Sequence, residues 1–127
     1  MTEIVHDIGL DPGFYEGETH SVTTTITESG AGLVPDNLWV TIYDEASGDI
    51  INSRDRQVLT PVSTYINPSG VLTFNFDPAD CVLVNTLTEG QAEIHRVIFE
   101  FNWLSASRVG FIVCNWKVKP TRKQLDT

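Results

Sequence analysis

Gln91–Val118, QAEIHRVIFEFNWLSASRVGFIVCNWKV, holds two of the three tryptophans and three of the six phenylalanines of this 127-residue chain. Its apolar residues alternate with a period of two, which places successive strand side chains on opposite faces. His95, Val97, Phe99, Phe101 and Trp103 fall on one face of a first strand, and Ile94, Arg96, Ile98 and Glu100 on the other. Leu104–Arg108 breaks the alternation. Val109–Val118 then resumes it, with Ile112, Cys114, Trp116 and Val118 on one face and Val109, Phe111 and Val113 on the other. The stretch reads as a long hairpin. So apolar a hairpin is not stable alone in water, so the rest of the chain must cover it.

Working outward, further strand signals recur every eight to twelve residues. Met1–Leu10 alternates as a short first strand. Gly17–Glu28 places Val22, Thr24 and Ile26 on one face, and its run of threonines disfavours a helix. Leu38–Asp44 is apolar on both faces, as a central strand should be. A turn over Glu45–Asp49 predicts a short return strand at Ile50–Ser53. Pro61 keeps the irregular stretch Arg54–Ile66 out of a central strand position. Asn67–Gly70 has β-turn chemistry, and Val71–Phe76 follows with Leu72, Phe74 and Phe76 on one face. Asp77 as N-cap and Pro78 as first residue predict a helical turn. Seven or eight strands with no sustained helical period predict a single all-β domain, an immunoglobulin-like β-sandwich over residues 1–118, with a jelly roll as the alternative. Residues 119–127 read as a polar, basic tail.

Composition narrows the function classes. No apolar run is long enough to span a membrane, and the N-terminus lacks a signal-peptide pattern, so the chain is expected to be made in the cytoplasm. In that compartment Cys81 and Cys114 read as buried free thiols, with a disulfide as the less favoured reading. Residues 1–95 carry fifteen acidic and two basic side chains, whereas residues 96–127 carry six basic and two acidic. An acidic body argues against nucleic acid as the main partner. The polarity suits contacts between copies or between the tail and an acidic partner.

No motif carries a cofactor, and no residue set is expected to be catalytic or metal-binding. Glu93 and His95 share a face and could do acid–base work, but no nucleophile is tied to them. His6, His20 and His95 match no metal spacing. Asp44, Glu45, Asp49 and Asp55 surround a glycine turn without calcium-loop spacing; Asp77 and Asp80 share that weakness, and capping already explains Asp77. Trp39, Trp103, Trp116, Tyr15, Tyr43 and Tyr65 could form a sugar-binding platform, or could fill core and interfaces. Trp103, at the hairpin tip, is expected to be exposed. Val97–Leu104 would be an aggregation hazard as an open edge, so a copy-to-copy or shell contact is expected to cover it.

Two segments carry a family resemblance. Trp39–Asn52, WVTIYDEASGDIIN, resembles the strand–turn–strand of transthyretin-like and immunoglobulin-like modules. Gly90–Val118, preceded by Gly70, Val71, Leu72, Thr73, Pro78 and Asp80, resembles the C-terminal hairpin of small β-sandwich proteins from tailed-bacteriophage structural genes. The resemblance, over residues 39–118, implies a non-enzymatic virion component such as a capsid decoration protein. Its expected partners are the major capsid protein or another virion protein and further copies of itself, with no nucleic acid and no membrane. A carbohydrate- or host-surface-binding module is the alternative. Partner contacts are expected at Trp103, Arg108, Lys117, Lys119, Arg122 and Lys123.

Overall fold

The structure is a computed structural model that describes residues 2–7, 14–15, 17–84, 91–104 and 107–119, with only backbone pairing described for the first two segments. The fold is all-β. Its strands are β1 (Thr2–Asp7), β2 (Phe14–Tyr15), β3 (His20–Thr25), β4 (Thr27–Glu28), β5 (Ala31–Gly32), β6 (Asn37–Asp44), β7 (Gln57–Val58), β8 (Val71–Phe76), β9 (Glu93–Trp103) and β10 (Arg108–Lys119). Two short 3-10 turns, Val62–Thr64 and Pro78–Cys81, complete the described elements.

The hairpin forms as the alternation predicts. β9 and β10 pair antiparallel from Glu93↔Val118 to Trp103↔Arg108. They lie inside a large sheet of order β1-β10-β9-β6-β7, and β2 also pairs with β10. β1 and β2 both run parallel to β10, taking successive parts of its free side. β9 is therefore not an open edge: Val97–Asn102 is paired with β6 on one side and β10 on the other. The expected covering contact is supplied within the chain.

β3 and β8 form a second, two-stranded sheet. Val22 and Thr24 on β3 and Leu72, Phe74 and Phe76 on β8 turn inward against the large sheet. Phe74 meets Phe99 edge-on at 5.4 Å between ring centroids, and Phe76 meets Trp116 at 4.8 Å. The core lies between the two sheets, with Leu38, Val40, Ile42, Val97, Phe99, Ile112 and Trp116 contributed by the large one. Such aromatic pairs add about 0.5–1.5 kcal/mol each beyond their buried area. Gly110 faces Phe101 across the hairpin because an added Cβ would stand 2.5 Å from the ring.

One local expectation is corrected. Ile50–Ser53 is not a strand; only Ile50 bridges to Tyr43, and the strand beside β6 is Gln57–Val58. Asn52 and Ser53 take positive φ and interrupt the ladder, leaving separate bonds to β6: Ile51 N–H donates to Ile42 O and Ile42 N–H to Arg54 O, both at 2.9 Å. The Pro78–Cys81 turn forms as expected, with Asp77 as N-cap and Pro78 in the first turn; Asp80 completes a capping box, its carboxylate accepting the Asp77 N–H at 2.7 Å. The Asn67–Gly70 turn closes as expected, with Gly70 N–H donating to Asn67 O at 2.9 Å and Gly70 at φ 82°.

Candidate functional site

At the hairpin tip, β9 ends at Trp103 and β10 begins at Arg108, its cross-strand partner. Trp103 is not the exposed anchor expected from its place beside the turn. It is 7% exposed, because the alternation of β9 carries it to the inner face behind Phe99 and Phe101. Its ring stacks on Phe101 at 5.6 Å, and Nε1–H donates to Glu28 Oε2 at 3.1 Å. Arg108 Nη1 lies 3.7 Å from the same oxygen. So β4 supplies one carboxylate that holds both hairpin residues. The Arg108–Glu28 pair is long and largely exposed, and such pairs contribute at most about 1 kcal/mol. Together Ile26, Leu33, Phe101 and Trp103 floor a cleft of about 180 Å³, with Glu28 and Arg108 at its rim.

Leu104 stands beside this cleft at the turn. It is 58% exposed and held at φ 55°, with its carbonyl accepting from Ser107 N–H at 3.1 Å and Ser107 Oγ–H at 2.7 Å. A leucine held in the left-handed region and out in solvent is costly on both counts.

The other expected contact residues separate. Lys117 and Lys119 lie at the far end of β10, roughly 30 Å from Arg108 at about 3.3 Å per residue. Arg122 and Lys123 lie outside the described residues. Trp116 is fully buried, and the half-buried ring of Trp39 carries Arg56 over its face at 4.4 Å. Arg56 also donates to Glu100 at 3.0 and 2.9 Å, and these bonds raise its pKa further above the ordinary guanidinium value. Tyr65 stacks on Phe74. These aromatics do not make an open platform, and the Tyr15 side chain lies outside the description.

The acidic turn also resolves differently from a calcium loop. Asp44 is buried and its Oδ2 accepts from Ser47 N–H at 3.0 Å and Ser47 Oγ–H at 2.8 Å. Glu45 pairs with Arg96 on the outer face, and Asp49 and Asp55 are exposed. Asp80 is engaged by Arg54 instead. His20 and His95 each stand with the ring edge-on to the Trp116 indole at 5.9 Å, and the His6 side chain lies outside the described residues. Both cysteines are buried thiols outside any disulfide. Cys81 Sγ lies 3.6 Å from His20 Nδ1, yet burial, reinforced by Asp80, pushes its pKa up to about 12, so it stays a thiol. Burial lowers the pKa of His20, with Glu18 and Asp80 opposing the shift.

Sequence reasoning missed one grouping. Asp44 and His95 are register partners on β6 and β9, which brings Asp44 to the Glu93–His95 pair. His95 Nε2 lies 2.8 Å from Glu93 Oε1 and 4.0 Å from Asp44 Oδ1. Nothing short of the β6–β9 register could have signalled this, because the residues are far apart in sequence.

Comparison with protein-family models, with curated proteins and with solved structures returns no match. The geometry therefore stands without a relative to interpret it. All three members of the Asp44–Glu93–His95 group are buried, so a substrate has no direct access to them. The tip differs: it combines an exposed apolar side chain, a cleft of mixed polar and apolar lining and a long ion pair within a few residues.

Proposed function

We propose that this chain is a non-enzymatic structural module that docks on a phage particle, most simply as a decoration protein on the head shell. The observation that carries the docking reading is the tip. Leu104 projects into solvent beside a cleft of mixed polar and apolar lining that includes Glu28 and Arg108. Arginine is enriched at protein–protein contacts, and Arg108 offers a largely exposed guanidinium there. The virion assignment rests on the resemblance carried by residues 39–118.

The strand order supports an immunoglobulin-like sandwich over a jelly roll. β3 and β8 face a sheet in which β6, β9 and β10 are neighbours, the two-sheet partition of immunoglobulin domains. Such a module stabilises a shell by mass action, because it binds assembled subunits and not loose ones. Contacts at Lys117, Lys119 and the tail would form a second, separate patch at the opposite end of β10.

The test is occupancy on purified particles. Leu104→Asp and Arg108→Glu should each lower bound copies at least tenfold at limiting concentration while leaving the circular-dichroism spectrum unchanged. Full occupancy by both variants would reject the tip as the docking surface. Deleting residues 120–127 tests the tail separately, with unchanged occupancy excluding it.

A further inference from the structure

The geometry points to a cation site within the fold: we propose that Asp44, Glu93 and His95 ligate a divalent first-row metal ion such as Zn²⁺. The proposal is independent of the docking reading. The three side chains are at most 5% exposed and each offers a ligand atom, all within 4.8 Å of one another. An imidazole with two carboxylates is a mixed nitrogen–oxygen donor set, which suits zinc better than calcium or magnesium.

The distances are close to what coordination needs. Zinc bonds of about 2.0–2.2 Å at a tetrahedral angle separate ligand atoms by about 3.3 Å. Here His95 Nε2 stands 2.8 Å from Glu93 Oε1 and 4.0 Å from Asp44 Oδ1, so the observed values bracket the required one. Shifts of well under about 1 Å would admit the ion.

The carboxylates are also held by neighbours. Ser47 binds Asp44 through Oδ2, which leaves Oδ1 aimed at His95. On Glu93, Val84 N–H donates at 2.9 Å to Oε1, the same oxygen that faces His95. Hydrogen-bonded carboxylates of this kind are characteristic of metal ligands. Asp80, the other fully buried acid, is paired with Arg54. Among the described residues no lysine or arginine pairs with Asp44; its charged-group contact is His95.

One atom sets the expected strength. With the metal on Nε2 the imidazole proton sits on Nδ1, which is buried without a hydrogen-bond partner among the described residues. That cost, together with only three protein ligands, makes the site weaker than a closed four-ligand zinc centre.

The test uses the whole chain, stripped of metal and titrated with ZnCl₂ by calorimetry and with CoCl₂ by absorption. One equivalent should bind, and the melting temperature should rise by roughly 5–10 °C at about 30 times the dissociation constant. The Co²⁺ spectrum should show visible ligand-field bands without the near-ultraviolet thiolate band that Cys81 or Cys114 would produce. Asp44→Asn, which keeps an acceptor for Ser47, should weaken binding at least tenfold, as should Glu93→Gln. Absence of binding to the wild-type chain, a thiolate band, or undiminished affinity in either folded variant would each overturn the proposal. The wild-type titration and spectrum decide the matter even if a variant does not fold.

Discussion

Asp80 is fully buried, and its carboxylate accepts from Arg54 Nε at 2.6 Å, Arg54 Nη2 at 3.1 Å, Asn52 Nδ2 at 2.8 Å and Asp77 N–H at 2.7 Å. Arg54 reaches Asp77 and Gln57 as well, and its guanidinium lies 5.2 Å from the centroid of the Phe74 ring. Arg54→Met would remove the cation, keep much of the stem packing, and strand the charge. Removing one partner of a buried pair costs about 3–5 kcal/mol. Asn52 and the Asp77 N–H remain, so the expected loss is at the lower end, about 3 kcal/mol. For a domain of this size that lowers the melting temperature by roughly 10 °C. Urea denaturation at pH 7 would measure it, and because the pair is buried the loss should change little between low and moderate salt. Adding Asp80→Asn removes the stranded charge and should recover at least half of the loss. A single-variant loss below about 1 kcal/mol, or a double variant no better than the single, would refute the reasoning that the guanidinium neutralises a buried carboxylate.

Three further outcomes follow from the packing and the titrating groups. Gly110→Ala should cost about 1–3 kcal/mol in urea denaturation, because its Cβ would sit 2.5 Å from a Phe101 ring that Trp103 stacks against. For His20, burial holds the folded pKa below the ordinary 6.5, so the unfolded chain takes up the proton first as pH falls. Its contribution to stability is complete above pH 6.5 and declines below it; His20→Phe should flatten that decline, and the imidazole proton resonances should titrate below 6.5. For Cys81 the folded pKa is raised to about 12, so stability should fall as pH rises past the ordinary thiol value of 9.0, and Cys81→Ala should reduce that slope. The same thiol should react with a disulfide reagent only as fast as the protein unfolds.

Alternation made much of the fold legible. The inward rows on β3, β6, β8, β9 and β10 are those read from period two, because each of these strands has one face against a core. Alternation also assigned Trp103 correctly to the inner row with Phe99 and Phe101; its position beside a turn suggested exposure, and burial of a large apolar ring prevailed. The strand beside β6 was misplaced because positive φ at Asn52, Ser53 and Arg56 is not encoded by glycine. The candidate sites were less legible, since each depends on long-range register. Glu28 meets Trp103 and Arg108 because β4 ends near the hairpin tip, and Asp44 meets His95 because β6 pairs with β9. Val97–Leu104, with one charge and no proline, would be a hazard as an open edge, which predicts an external cover; a strand paired on both sides has the same composition.

The proposed docking on a particle is tested by quantitative mass spectrometry of purified phage particles from cells expressing this chain. A docked module should be present at a fixed copy number, an integer or simple fraction of the major shell protein, that falls when Leu104→Asp replaces the wild type. Particles purified without this chain, at any stage of assembly, would contradict it.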